Sequence, residues 1–121
     1  MKLLIGMMLS LGSLNCSLAQ STPDWTISIE PAKKIRANYP APMRINLSDV
    51  SGQPVTAASV EFVLNMIDMD HGEHKTPAVM VAPGVYEGTV KFFMVGAWSF
   101  DVRVTKGNYA QAKKFRFDVN D

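Results

Sequence analysis

Sulfur and imidazole side chains gather in the stretch Met66-Ile67-Asp68-Met69-Asp70-His71-Gly72-Glu73-His74, which holds both histidines of the chain. Thioether sulfur and imidazole nitrogen are soft to intermediate donors, and sulfur selects Cu(I) over the hard cations that prefer oxygen. Met66, Met69 and His71 are spaced so that two sulfurs and a nitrogen converge on one ion if the backbone curls, which Gly72 permits. His74 and Met94 are candidates for a fourth ligand, Met94 because it ends an inward-facing run just before Gly96. The expected metal site is Met66, Met69, His71, His74 and Met94, and the expected ion is Cu(I).

Other readings of these residues compete with that one. Methionine fills gaps in apolar cores, and Met66 continues an apolar strand face, so packing alone accounts for it. Met43 and Met80 read as packing or surface. Calcium is disfavoured because Asp68, Asp70 and Glu73 do not follow the alternating spacing of the twelve-residue calcium loop. Zinc prefers three or four His, Cys or carboxylate ligands, and the chain has two histidines. With no nucleophile elbow and no carboxylate pair set up for acid and base roles, the expectation is a protein that is not an enzyme.

Strands must hold this loop. Trp25, Ile27 and Ile29 alternate with polar residues, as do Met43, Ile45 and Leu47, then Val60, Phe62, Leu64 and Met66. The third run leads straight into the methionine stretch, which Pro77 is expected to close. A short strand over Ala78 to Ala82 follows, with Val79 and Val81 facing one way and Met80 the other. After the Pro83-Gly84 turn comes a longer strand from Val85 to Met94. Beyond Gly96, Trp98, Phe100, Val102 and Val104 alternate cleanly, Lys106-Gly107-Asn108 forms a hairpin turn, and Phe115, Phe117 and Val119 line a last strand. Seven short alternating segments without an amphipathic helix predict an all-β fold, an immunoglobulin-like antiparallel sandwich filled by the tryptophans and phenylalanines.

Residues 1–19 read as a cleavable signal peptide: Lys2 is a short positive start, Leu3 to Leu14 is mostly apolar but too short to span a bilayer, and Ser17-Leu18-Ala19 offers small residues for cleavage after Ala19. Residues 20–121 are then one exported domain, periplasmic or secreted. The sole cysteine, Cys16, raises the alternative of a lipid anchor, but Ser13 and Asn15 stand where a lipobox has leucine and a small residue. Cleavage at Ala19 leaves no cysteine, hence neither disulfide nor thiolate site. A blue-copper centre is disfavoured, because its cysteine ligand would be missing from the mature chain. A 47% apolar composition suits a folded domain. Basic and acidic side chains nearly balance, and no basic stripe marks a nucleic-acid partner.

Three segments carry a resemblance: Met66 to Gly72, Gly84-Val85-Tyr86-Glu87-Gly88, and Gly96-Ala97-Trp98-Ser99-Phe100-Asp101-Val102. Together they resemble the YtkA-like and FixH-like domain, whose pattern is a methionine-rich stretch ending in histidine, a G-x-Y strand entry and a G-x-W strand entry. The resemblance covers Trp25 to Val119 in outline. It implies a secreted or membrane-tethered immunoglobulin-like sandwich associated with copper handling or copper-oxidase assembly. FixH proteins proper keep an N-terminal transmembrane helix, whereas this leader reads as cleavable, which favours a free periplasmic domain. The expected function is buffering or delivery of Cu(I), with a membrane-bound copper transport or oxidase-assembly protein as partner. The alternative is an accessory interaction module of such a membrane complex, acting without metal through a sheet face or edge.

Overall fold

Successive side chains of an extended chain point to opposite faces, so an apolar residue at every second position lets one face be buried. The computed structural model describes residues 24–30, 35–69 and 72–120. Seven strands are present there: β1 (Thr26–Ile29), β2 (Pro40–Ser48), β3 (Ser59–Met66), β4 (His74–Ala82), β5 (Val85–Lys91), β6 (Gly96–Lys106) and β7 (Tyr109–Val119). All pairings between these strands are antiparallel, in the order β1-β2-β5-β4-β3-β6-β7.

The ladder folds back on itself at β4. Residues His74 to Ala78 pair with β3, and from Val79 onward the strand pairs with β5. The two halves of β4 therefore belong to the two sheets of an immunoglobulin-like sandwich. At the crossing the sheets come close: a Cβ on Gly88 of β5 would lie 3.0 Å from the Pro77 carbonyl oxygen and 3.1 Å from the Phe62 ring.

The core lies between the sheets. Phe62 and Leu64 of β3 and Trp98, Phe100 and Val102 of β6 meet Met43, Ile45 and Leu47 of β2 and Tyr86 and Val90 of β5, all buried. The Phe62 and Phe100 rings lie 4.9 Å apart. Each such side chain contributes about 1.5–3 kcal/mol by leaving water. Side chains also tie the edges β1 and β7 together. Gln111 accepts from the Trp25 N–H at 3.1 Å and donates to the Trp25 carbonyl at 2.6 Å, and Lys113 Nζ donates to the Ile27 carbonyl at 3.1 Å. The sandwich is thereby nearly a closed barrel.

Several boundaries differ from the alternation pattern. β4 starts at His74 rather than Ala78, so Pro77 lies within a strand instead of closing a loop. A proline is tolerated there because, among the described residues, this half of β4 has a strand neighbour on one side only. β5 stops at Lys91, and β7 starts at Tyr109, ahead of the Phe115 to Val119 run. Trp25 is only partly buried, whereas Trp98 is wholly inside. Among the described residues no helix is long and apolar enough to cross a membrane. The leader expected at residues 1–19 lies outside the described residues.

Candidate functional site

Two connections meet at one end of the sandwich, the one from β3 to β4 and the one from β5 to β6. Register brings them together, because Met66, the last residue of β3, pairs with Trp98 near the start of β6, and the Ile67 N–H donates to the Ala97 carbonyl at 3.0 Å. Met66 points inward and is buried, as expected from its parity. Its methyl carbon lies 3.0 Å from where a Cβ on Gly96 would stand, and Gly96 has φ +144°, so glycine there makes room for the thioether.

An aromatic chain connects the other donors. The His74 ring meets the Phe93 ring edge-on at 4.9 Å, and Phe93 meets Trp98 edge-on at 4.9 Å. The Trp98 indole Nε1 donates to the Met94 carbonyl at 3.0 Å, which fixes the backbone at Met94. Met94 does not end an inward-facing strand: β5 has stopped at Lys91, and the Met94 side chain is exposed in the connection to β6. His74, expected in a loop, instead opens β4 opposite Leu64.

The structure thus brings Met66, His74 and Met94 to one rim. Met69 lies three residues beyond β3 and is half exposed, and Gly72 has the positive φ, +81°, expected of a turn. His71 lies outside the described residues. Glu73 is engaged away from the rim, its carboxylate accepting from Arg103 of β6 at 3.2 Å. Among the described residues no three His, Cys, Asp or Glu side chains gather as a metal site, so the donors there are thioethers and one imidazole. Their placement around an apolar aromatic patch fits a soft ion chemically, although the burial of Met66 also gives it a packing role.

The second half of β4 holds another feature. Val79, Met80 and Val81 are 64%, 45% and 47% exposed. Val79 pairs with Glu87 and Met80 with Tyr86, and the register shifts between Met80 and Ala82. Among the described residues no strand pairs with the other side of this segment. The alternation pattern assigned Val79 and Val81 to one face and Met80 to the other, and missed that both faces are open. Five apolar residues in a row between Pro77 and Pro83, Ala78 to Ala82, without a charge, were the available signal.

Among protein families, the YtkA-like model matches residues 19–103. The chain belongs to the YtkA-like family. No curated protein matches it. Among solved structures, the Lin-41 filamin domain is similar at 13% identity and a TM-score of 0.58, over 82% of this chain and 97% of that one. A conjugative transposon lipoprotein from Bacteroides eggerthii is similar at 16% identity and a TM-score of 0.47, over 84% of this chain and all of that one. At these identities the filamin domain supports the fold of the YtkA-like chain, and the lipoprotein adds nothing to it. The three segments that resembled the family now have places in this YtkA-like domain: the methionine stretch leaves β3 at the rim, Tyr86 is buried in β5, and Trp98 anchors β6.

Proposed function

We propose that this YtkA-like domain is an accessory module that docks on a partner protein by accepting a strand at the Val79–Ala82 edge. The observation behind this reading is the open apolar edge itself. Soluble sandwiches usually blunt such edges with charge, proline or bulges. Here no charge lies between Pro77 and Pro83, while the two prolines and the register shift confine the open stretch to a few residues. An edge of that length takes one short extended segment, whose main chain supplies hydrogen bonds and whose side chains meet Val79, Met80 and Val81. In this reading the protein is exported and its partner belongs to a membrane-bound complex. Capture of one defined partner by the purified protein, in the presence of a copper chelator, tests it. The double variant Met80→Lys and Val81→Lys is expected to lose that partner; retention by the variant sinks the edge reading.

The rim favours a second reading, in which the domain buffers or delivers Cu(I). Met66, Met94 and His74 would hold the ion, with Met69 and His71 of the connecting loop completing the set, and bound copper would supply a soft acid for thioether and imidazole donors. The apolar surroundings of Phe93 and Trp98 limit access of hard oxygen ligands. Titration of Cu(I) under reducing conditions against a chromophoric chelator checks this. One equivalent bound by the parent protein, and weakened by Met69→Leu and His71→Ala, is the expected result. Binding that survives both changes removes the loop from the site.

A further inference from the structure

The stretch Pro77-Ala78-Val79-Met80-Val81-Ala82-Pro83 reads the same in both directions about Met80. It is also the stretch that contains the open edge of β4. Two copies of a surface related by a two-fold axis set residue i of one against residue j of the other, and j against i. With antiparallel strands and the axis at Met80, Met80 lies opposite its own equivalent, and Val79 of each copy lies opposite Val81 of the other. Every cross-strand pair then joins side chains of one type, and opposed β-branched side chains stabilise a ladder. A slip by one residue sets Met80 against a valine and the remaining valine against an alanine, and turns the side chains of one copy to the opposite face. Charge does not oppose the approach of a second copy. The segment itself has none, and Glu87, which pairs with Val79 on β5, is held by Arg44 at 3.5 Å.

We infer that the free domain pairs with a second copy of itself along Val79 to Val81, with the two-fold axis at Met80. The sheet then runs β1-β2-β5-β4 through one copy and back through β4-β5-β2-β1 of the other. Ala78 is already paired with Val60 of β3, so the new ladder is confined to three residues of each copy. A contact that small makes a weak, exchanging dimer rather than a permanent one. Because the axis closes the pairing, each edge is used once and assembly stops at two copies, which keeps an apolar edge from seeding larger aggregates. The inference rests on the open edge of the docking reading and names what covers that edge when no partner is bound; a partner strand takes the place of the second copy.

Sedimentation equilibrium of the purified protein, from micromolar to millimolar concentration, tests the pairing. The expected course is monomer passing to dimer and nothing larger. Met80→Lys sets two ammonium groups against each other across the axis, and Met80→Glu two carboxylates, so each variant alone is expected to raise the dimer dissociation constant about tenfold or more. An equimolar mixture of the two is expected to return the dimer, because lysine then faces glutamate only if the two positions 80 are opposed. Met80 is exposed, so both variants keep the fold. The inference is overturned by a parent that stays monomeric throughout, by species that grow past the dimer, by a dimer that tolerates both single changes, or by a mixture that stays monomeric. Capture of a partner by a protein that never dimerises overturns this inference and leaves the docking reading standing, whereas a dimer of the stated register that captures no partner supports the pairing and overturns the docking reading alone.

Discussion

Met66 can act as core or as ligand, and stability separates the two. Truncation of a buried thioether leaves a cavity beside Gly96 and Trp98, so Met66→Ala is expected to lower the unfolding free energy by about 2–5 kcal/mol in urea denaturation. Met69 is half exposed, and Met69→Leu should change stability by less than about 0.5 kcal/mol, so any effect it has on Cu(I) binding is a ligand effect. Asp49 makes a separate prediction with pH. The Ser51 hydroxyl, then the Gln53 N–H, hold its carboxyl below the ordinary value of 3.8. A carboxyl whose value falls on folding stabilises the folded state above its unfolded value, and that contribution is lost as pH drops through the folded value. Parent and Asp49→Asn should therefore differ in denaturation midpoint at pH 7 and converge as the pH falls below 3.8. Donor chemistry was legible in the sequence at this scale because it belongs to each side chain. What faces a donor was not: the Phe93 ring beside His74 comes from the β5–β6 connection, across the fold.

At the scale of strands, legibility followed burial of one face. β6 was plain because Trp98, Phe100, Val102 and Val104 are all buried on one side. The first half of β4 was hidden because its residues, mostly exposed, do not alternate, and its extended form comes from pairing with β3 rather than from burying a side. Phe92 continued the alternation of β5 by type alone: it is buried, yet the strand has ended and its carbonyl accepts from the Asn38 N–H at 2.7 Å. The segment before β3 depends on one hydroxyl. Tyr86→Phe strands the Val55 carbonyl and the Ala58 N–H, and is expected to cost about 1–3 kcal/mol in urea denaturation. An unchanged midpoint would mean that the connection holds its shape without Tyr86.

Across the whole molecule, β4 joins the features that matter: it opens at the rim with His74, crosses between the sheets opposite Gly88, and ends on the exposed Val79–Val81 stretch. The fold could be read from the chain because two sheets with period-two faces have few ways to pack. The open edge could not, since a short apolar run reads the same whether it is paired on both sides or on one. Edge and rim occupy different parts of the domain, so their roles can be separated by mutation. Site-specific photo-crosslinking in cells that make the protein tests docking at the edge most directly. A photoreactive residue at position 79 or 81 is expected to capture the same single partner, with or without a copper chelator, while one at Ala112 on β7 captures none. Equal capture from position 112, or none from 79 and 81, would contradict docking through β4.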